Sequence, residues 1–218
     1  MSVPSPIRAY NFNGNAGDSA GSNHGTPSGG ISYTTGKIGQ AILFNDGNIS
    51  IPNVIPVSDY AWGFWMYPIG GGTDFQPLLS YTYNNDFEND HYLELSYNQT
   101  SLRVEFDSNA SASGTVALNT WTRVILKVSS NTGQFYINGI ASGSGFSIPP
   151  GAAFNFYFKL ANNTDWGENK YFGRIDLLYL WNIALNGDQI LEDYNNGDGK
   201  EYPYPNLSRN SRVAPFFQ

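Results

Sequence analysis

The stretch GNAGDSAGSNHG, which covers residues 14–25, is rich in oxygen-bearing side chains and glycines and contains no large apolar residue. Asp18, Asn15 and Asn23 offer carboxylate and amide oxygens, and the glycines leave backbone carbonyls free to turn inward. Ca²⁺ takes about six to eight hard oxygens of these kinds as ligands. The segment therefore predicts either a loop that wraps a cation or an ordinary flexible loop after a strand.

Side chains that could carry a reaction are few in this sequence. The two histidines, His24 and His91, are the candidate bases for a serine nucleophile, and neither lies near a Gly-x-Ser-x-Gly turn. The glycines of residues 70–72 are not followed by Gly-Lys-Ser/Thr, so they do not form a phosphate loop. These patterns predict that the chain is not an enzyme.

Two segments have the composition of a carbohydrate-binding surface, with aromatic rings for sugar C–H groups and Asn, Asp and Glu for hydroxyls. They are SYTYNNDFENDHY (residues 80–92) and ANNTDWGENKYF (residues 161–172). The loops of a sandwich gather at its ends or around its concave face, so the two segments could converge. The alternatives are ordinary surface loops or a contact with a protein partner. The candidate ligand-binding residues are Tyr81, Tyr83, Asn85, Asp86, Asp165 and Trp166.

Alternation of apolar and polar residues with a period of two predicts the strands that must position these loops. It is clear in HYLELSYN, SLRVEF, TRVILKV and FNFYFKL, which cover residues 91–98, 101–106, 122–128 and 154–160. Each strand is expected to bury one face and expose the other, as antiparallel sheets do. Turn signals around Gly133 and at Asn138-Gly139 predict hairpins. The pattern indicates an all-β, antiparallel β-sandwich.

One helix is predicted near the end of the chain, in LNGDQILEDYNNG (residues 185–197). Asn186 is the predicted N-cap, and Gln189 stands three residues later, at the spacing of a capping box. Gly197 is expected to end the helix. The residues expected to face the body of the protein are Ile190, Leu191 and Tyr194.

Composition and charge argue against several classes of binding partner. The net charge is −7, and no basic run is present, which argues against nucleic acid and against an anionic membrane surface. There are no cysteines, so the chain forms no disulfide and no thiolate metal site. The apolar runs are too short to span a bilayer, and the N-terminus MSVPSPIRAY does not resemble a signal peptide, so export by the general route is not expected.

The amino-acid composition of the chain changes after Gly199. The segment KEYPYPNLSRNSRVAPFFQ (residues 200–218) contains three prolines, which keep it extended, and several aromatic residues. We therefore predict a sandwich over residues 1–199 and an extended C-terminal arm over residues 200–218. The arm either lies on its own domain or docks on a neighbouring subunit.

Three segments together resemble the laminin-G-like, concanavalin A-like jelly-roll family. Residues 9–53 contain a strand, an Asp-containing glycine loop and a Gly-Lys-Ile-Gly-x-Ala-x-x-Phe pattern. The second segment carries the family's Trp-x-x-Pro strand and Trp…Tyr-x-x-Gly hairpin, and the third is FGRIDLLYLWNIALNGDQILEDYNNG. The hairpin and strand positions are Trp65, Trp121, Tyr136 and Gly139. The resemblance spans residues 7–199 and implies one jelly-roll β-sandwich with one short C-terminal helix.

The resemblance also implies a structural calcium in the opening loop, shared with the aspartate of the closing Ile-Asp strand. The corresponding positions are Asp18, Asn23 and Asp176, and the backbone carbonyls of Gly21 and His24 are natural further ligands. Asp176 stands in the strongly apolar strand RIDLLYLW, where an unpaired buried carboxylate is costly. The alternative is an aspartate at a strand end that is capped by backbone amides without an ion.

Sandwich glycosidases related to this family carry a Glu-x-Asp-x-(x)-Glu run on one strand. Glu105 and Asp107 fit its first two positions, but the third is Asn109 or Ala110. A retaining glycosidase needs both of its key carboxylates, so the resemblance does not imply hydrolysis.

Fold resemblance does not determine function. The favoured prediction is a non-enzymatic structural or adhesion protein of a virus particle, such as a bacteriophage capsid decoration or fibre component, located in the virion. Its partners would be other virion subunits, or a second copy, contacted through the arm, with weak binding of surface glycans. The alternative is a carbohydrate-binding module of a secreted or cell-surface protein.

Overall fold

The computed structural model describes residues 2–52, 59–70, 76–83, 94–98, 101–106, 109–147, 156–160 and 171–205. The strands are β1 (Arg8–Tyr10), β2 (Thr26–Thr35), β3 (Gln40–Pro52), β4 (Tyr60–Pro68), β5 (Gln76–Tyr83), β6 (Glu94–Asn98), β7 (Ser101–Phe106), β8 (Asn109–Thr115), β9 (Thr122–Ser129), β10 (Thr132–Ile137), β11 (Ile140–Ser147), β12 (Phe156–Leu160) and β13 (Gly173–Trp181). Helix α1 (Gly187–Tyr194) and a 3-10 turn (Asn195–Gly197) follow.

All these strands belong to one antiparallel sheet that folds over on itself. Its strand order is β11-β10-β9-β4-β13-β3-β12-β5-β6-β7-β8, with β1 beside β13 and β2 beside β3. The two ends of this path come together, because β11 contacts β8. The predicted all-β jelly-roll sandwich with one short C-terminal helix is confirmed. Of the predicted strands, residues 91–93 and 154–155 lie outside the described residues.

The inner core lies between the two layers of the sandwich. Alternate residues of β3, β4 and β9 point into it, as the period-two pattern of TRVILKV predicts. Its buried members on these three strands are Ile42, Phe44, Ile49, Ile51, Trp62, Phe64, Met66, Val124, Leu126 and Val128.

The outer face of β4, β9 and β13 is also buried, so the expectation that each strand exposes one face is wrong for these strands. On β9, Arg123 and Ile125 are each only 1% exposed, although the sequence pattern assigns them to the wet face. Helix α1, the first residues of the chain and the segment that follows the helix cover this side. The outer cluster includes Val3, Ala61, Trp65, Ile125, Leu177, Tyr179, Trp181, Leu185 and Ile190.

Both predicted hairpins form. The turn between β10 and β11 is Asn138-Gly139, with φ of 51° and 82°, and the turn between β9 and β10 is Ser130-Asn131, with φ of 48° and 62°. Positive φ at both central residues is what a two-residue type I′ hairpin needs. The second turn is therefore not at Gly133, which lies within β10. A Cβ there would come within 2.4 Å of the Phe146 ring, so Gly133 serves close packing.

Helix α1 begins with the predicted capping box. The Asn186 side chain accepts from the Gln189 amide at 3.0 Å, and the Gln189 side chain accepts from the Asn186 amide at 2.9 Å. Ile190 is fully buried and Tyr194 is half-buried, as expected, but Leu191 is 53% exposed. The expectation that Leu191 faces the body is therefore wrong.

The helix ends earlier than predicted. Asn195, not Gly197, is the C-cap, in the left-handed conformation with φ 51° and ψ 51°. Its amide donates to the carbonyl of Leu191. Asn tolerates this conformation, so a glycine is not needed there. Gly197, with φ 95°, ends the 3-10 turn.

A buried ion pair fastens α1 to the outer face of the sheet. Arg123 Nε and Nη2 donate to the two carboxylate oxygens of Asp193 at 2.7 and 3.0 Å, and both side chains are 1% exposed. Arg123 Nη1 also donates to the carbonyl of Leu177 at 2.8 Å. Gly63 leaves space for the guanidinium, because a Cβ there would lie 3.2 Å from Nη2. One side chain thus joins β9, β13 and the helix.

Residues 200–205 lie on the outer face of their own domain. Asn11 Nδ2 donates to the carbonyl of Tyr202 at 2.5 Å, and the Tyr202 amide donates to the Tyr179 hydroxyl at 2.9 Å. The Tyr179 and Tyr204 rings meet edge to face at 6.3 Å. This part of the predicted arm follows the alternative in which the tail packs on its own domain. Residues 206–218 lie outside the described residues.

Candidate functional site

The opening loop folds around the carboxylate of Asp18. Asp18 Oδ1 accepts from the amides of Ala9 and Ala20 at 3.0 Å each, and Oδ2 accepts from the amide of Asn23 at 3.3 Å. Arg8 Nε lies 3.8 Å from Oδ2, and the Asp18 side chain is 0% exposed. The carboxylate therefore ties the loop to the strand that precedes it.

The other predicted loop ligands lie close to Asp18. His24 Nδ1 accepts from the Asp18 amide at 3.1 Å, and the carbonyl of Asn23 accepts from the Tyr10 hydroxyl at 2.6 Å. A Cβ at Gly21 would lie 3.0 Å from Asp18 Oδ2. The structure thus brings Asp18, Gly21, Asn23 and His24 together in one compact loop.

Asp176 is buried at an irregularity within β13, beside the turn that precedes β3. Its Oδ2 accepts from the amides of Lys37 and Ile38 at 2.7 and 3.1 Å, and Oδ1 accepts from the amide of Leu177 at 2.8 Å. A Cβ at Gly36 would lie 2.6 Å from Oδ2, so glycine permits this approach. Asp176 is therefore capped by backbone amides, as one alternative expects, but inside the strand and not at its end.

The two carboxylates are held by different segments. Asp18 accepts from residues 9, 20 and 23, and Asp176 accepts from residues 37, 38 and 177. Calcium binds oxygen lone pairs, whereas both carboxylates face N–H donors and Asp18 adjoins a guanidinium. Among the described residues, no group of three or more His, Cys, Asp or Glu could hold a metal ion. These contacts do not by themselves fit a shared calcium, which stays a prediction.

Burial dominates the protonation of Asp176. It raises the pKa of this carboxyl from 3.8 to about 7, although the amides of Ile38, Lys37 and Leu177 act in the opposite direction. Glu201, in the segment that follows the helix, raises the pKa further by its negative charge. Asp176 therefore changes its charge near neutral pH in the absence of a cation.

An open groove of about 700 Å³ runs between the opening loop and the segment that follows α1. Its size falls in the range of small-molecule sites, about 300–1,000 Å³. Tyr204 contributes a hydroxyl that is buried and has no hydrogen-bond partner among the described residues. The sequence marks the aromatic residues of this tail but not the groove, which needs three distant segments. The lining residues are Asn11, Ser19, Ile38, Asn195, Gly199, Lys200, Glu201, Tyr202, Pro203, Tyr204 and Pro205.

Most of the predicted glycan-binding residues fall outside the described chain. Asn85, Asp86, Asp165 and Trp166 do so, as do Asp107 and His91. Tyr81 and Tyr83 lie on β5, where they pair with Phe158 and Phe156 of β12.

The strand register shows where the two predicted loops begin. The first was predicted from residue 80, but residues 80–83 belong to β5, so it begins after Tyr83, which pairs with Phe156. The second follows Leu160, which pairs with Leu79. Four residues along a strand correspond to about 13 Å. The two segments therefore leave the β5–β12 pair at opposite ends.

The fold defines an antiparallel β-sandwich domain. Residues 39–191 match the family model of the concanavalin A-like lectin/glucanases superfamily. Because the match covers most of the chain, the protein belongs to this superfamily, and the laminin-G-like resemblance of its sequence motifs is confirmed.

Solved structures share the fold. Domain 4 of an extracellular arabinanase from Geobacillus stearothermophilus, in complex with arabinotriose, has a TM-score of 0.70 and 24% identity, and the match covers 86% of this chain and 97% of that one. Trypanosoma rangeli sialidase in complex with sialic acid has a TM-score of 0.73 and 16% identity over 91% of this chain. The botulinum neurotoxin type G receptor-binding domain has a TM-score of 0.64 and 14% identity over 88%. At these identities the likeness establishes the fold alone.

The chain spans 34% of the sialidase and 51% of the toxin domain. No curated protein matches the chain by sequence. Across the described ranges, no helix is long and apolar enough to cross a membrane.

Proposed function

We propose that this protein is a non-catalytic carbohydrate-binding domain. The observation that carries the proposal is its match to nearly the whole of an arabinanase domain whose structure contains arabinotriose. The superfamily to which the chain belongs and the aromatic and amide side chains of its loops support the same function. The absence from the sequence of a complete glycosidase carboxylate set supports a binding role without hydrolysis.

We assign sugar binding to two segments, one after β5 and one after β12, which begin at opposite ends of this strand pair. Tyr81 and Tyr83 lie at the end of β5 from which the first loop departs. Aromatic rings are suited to stacking on sugar rings, and amides and carboxylates bind hydroxyls. The proposed ligand-binding residues are those predicted from the sequence, Tyr81, Tyr83, Asn85, Asp86, Asp165 and Trp166.

A glycan array that includes arabino-oligosaccharides tests the function directly. The purified protein should bind a defined subset of glycans, and Trp166→Ala and Tyr83→Ala should abolish that binding. Ile140→Ala is the matched control, because Ile140 is 71% exposed and lies on β11, outside both segments. A folded protein that binds no glycan would contradict the function. Binding that survives both loop variants would contradict only the assignment of the surface and would direct mutagenesis to the groove.

We also propose that the opening loop gains stability from calcium, which is the structural role that the family resemblance implies. Ligand at about 100 times its Kd stabilises a native state by about 2.7 kcal/mol. The melting temperature should therefore be higher in calcium than in EDTA, and Asp18→Asn should remove this difference. The comparison is made within each variant, because the substitution also disturbs the hydrogen bonds of Asp18. Equal melting temperatures in both buffers would show that the loop is held by hydrogen bonds alone.

The virion role that the sequence favours stays a proposal, and the relatives named above do not support it. Its location in a particle, or alternatively outside a cell or on its surface, is equally a proposal. The aromatic residues of segment 206–218 are what supports a docking arm. Deletion of residues 206–218 tests it better than deletion from residue 200, because residues 200–205 pack on the domain itself. Loss of assembly with unchanged melting would support the arm, whereas unchanged self-association would contradict docking on a second copy.

A further inference from the structure

Three side chains form a row across the outer face of the sheet, which we call the open row: Arg174 on β13, Tyr67 on β4 and Trp121 directly before β9. Arg174 pairs in register with Tyr67, and its guanidinium carbon lies 4.8 Å from the centre of the Tyr67 ring. The Tyr67 and Trp121 rings follow at 5.3 Å, tilted by 57°. All three side chains are half-buried, so one arginine and two aromatic side chains are partly exposed at this face.

Among the described residues, Arg174 donates one hydrogen bond, from Nη1 to the carbonyl of Thr35 at 3.4 Å, although a guanidinium has five N–H donors. Its Nε is buried and has no hydrogen-bond partner in the part of the chain that the structure describes, so donors to a ligand come from the Nη atoms. The ion pairs formed between described residues involve Arg8, Arg123 and Lys200 but not Arg174. In a chain of net charge −7, this arginine therefore carries a positive charge that no described carboxylate neutralises.

Two exposed apolar side chains lie near the open row along the chain. Ile69 and Leu118, each 42% exposed, follow Tyr67 and precede Trp121 along the chain. The Ile69 amide bonds to the carbonyl of Phe172, which fixes this end of β4 beside the start of β13. A ligand at the open row would meet two aromatic rings and one guanidinium.

We propose that the open row binds a sugar that carries a carboxylate, such as a uronic acid or a nonulosonic acid. Trp121 offers a ring face for the sugar C–H groups, and Arg174, oriented by Tyr67, donates to the carboxylate. Two strand spacings separate β13 from β9, about 10 Å, which one sugar ring with its carboxylate can bridge. Arginine suits this role because its planar fork matches the two oxygens of a carboxylate. The proposal rests on the carbohydrate-binding function proposed above but concerns a different surface.

Calorimetric titration with matched sugars tests the proposal. The probes are a galacturonate trisaccharide and sialyllactose, and their neutral counterparts are the methyl-esterified trisaccharide and lactose. A charge-assisted hydrogen bond corresponds to a preference of about tenfold or more for the carboxylated member of each pair. Arg174→Gln should remove this preference, and Trp121→Ala should weaken binding of both members. Wild-type protein that binds both members equally would overturn the proposal.

Lys127→Gln is the matched control for charge. Lys127 lies on β9 further along the same face, is partly exposed, and its loss changes the net charge by the same amount. An equal loss of preference in Lys127→Gln and Arg174→Gln would show general attraction and not a site. If Arg174→Gln fails to fold, Trp121→Ala still decides, because a Trp121→Ala variant that binds both members as tightly as the wild type would overturn the proposal.

Failure of this proposal is distinguishable from failure of the proposed function. Binding of neutral glycans alone, with no effect of Arg174→Gln, would overturn the acidic-sugar site and leave a carbohydrate-binding domain. No binding of any glycan, neutral or carboxylated, by the folded protein would overturn both.

Discussion

Two neighbouring rows of side chains on the same three strands have opposite surroundings. The open row is Arg174, Tyr67 and Trp121. The second row, which we call the closed row, lies two residues away from the open row along each strand. It consists of Asp176, Trp65 and Arg123. Side chains two residues apart share one face of a sheet, so both rows point outward from the inner core. Each row contains one arginine and at least one large aromatic residue, yet only the closed row is fully buried.

The difference lies in what covers the rows. The Tyr194 ring stacks on Trp65 at 5.8 Å, the Lys37 ammonium lies 4.7 Å from the Trp65 ring centre, and Asp193 neutralises Arg123. No described element supplies such partners to the open row. An arginine on an outer strand face is therefore a structural element where the helix covers it and a candidate ligand contact where the helix does not reach.

The largest loss of stability is expected when Arg123 of the closed row loses its counter-charge, Asp193. Asp193→Ala leaves the Arg123 cation buried and unpaired, which costs about 3–5 kcal/mol of the free energy of unfolding. Urea unfolding measures the change. The matched control is Asp188→Ala, an exposed aspartate in the first turn of the same helix, expected to cost at most about 1 kcal/mol. Equal losses in the two variants would show that the ion pair does not hold the cover in place.

Two adjacent residues of helix α1 test the contrast between covered and exposed side chains. Ile190 is fully buried in the outer cluster, and truncation to Ala should cost about 2–5 kcal/mol. Leu191 is 53% exposed, and Leu191→Ala should change stability by about 0.5 kcal/mol or less. Thermal or urea unfolding of both variants checks the prediction. A larger loss for Leu191 would mean that the apolar contact of α1 lies on its other side.

Asp176 gives the closed row a pH dependence. The folded pKa of Asp176 is raised to about 7, so between pH 4 and 7 the native carboxyl keeps a proton that the unfolded chain has released. Its contribution to stability is therefore present at low pH and lost as the pH rises towards 7. In EDTA, the stability of the wild type relative to Asp176→Asn should fall over this interval. The opposite slope would indicate that a cation or the three amide donors keep Asp176 ionised.

The smallest effect on stability is expected in the open row. Arg174→Gln removes one long hydrogen bond and a surface contact with Tyr67, so the free energy of unfolding should change by about 0.5 kcal/mol or less. Its effect should appear instead in binding of carboxylated sugars. A large loss of stability in urea would place Arg174 among the structural residues and remove the contrast between the rows.

The sequence predicted the strands and the start of the helix well because those signals are local. The capping box of Asn186 and Gln189 needs only four consecutive residues, and the Asn138-Gly139 turn needs two. The same local reasoning misplaced the helix end, because it assigned the left-handed conformation to Gly197 when Asn195 already adopts it. It also assigned Leu191 to the buried side of a helix whose orientation depends on distant contacts.

How well the sequence predicts a candidate site depends on how far apart its residues lie along the chain. The predicted calcium ligands of the opening loop, Asp18, Gly21, Asn23 and His24, lie within seven consecutive residues, so their proximity follows from the sequence. Asp176 was paired with that loop by family resemblance, but its hydrogen-bond donors come from the turn at Lys37 and Ile38. No local pattern could show this, because the contact joins residues about 140 positions apart.

By itself, the sequence determined the antiparallel sandwich, its hairpins and its single capped helix, because alternation, turn residues and caps act over a few residues. Only the tertiary structure decided which outer side chains are buried. The pattern of TRVILKV predicts that Arg123 is a surface residue. It is buried because it forms an ion pair with Asp193, seventy residues later in the chain. Arg174 stays at the surface because no described segment covers it. Burial of a charge depends on whether a distant partner compensates for lost hydration, and the three-dimensional fold supplies that partner.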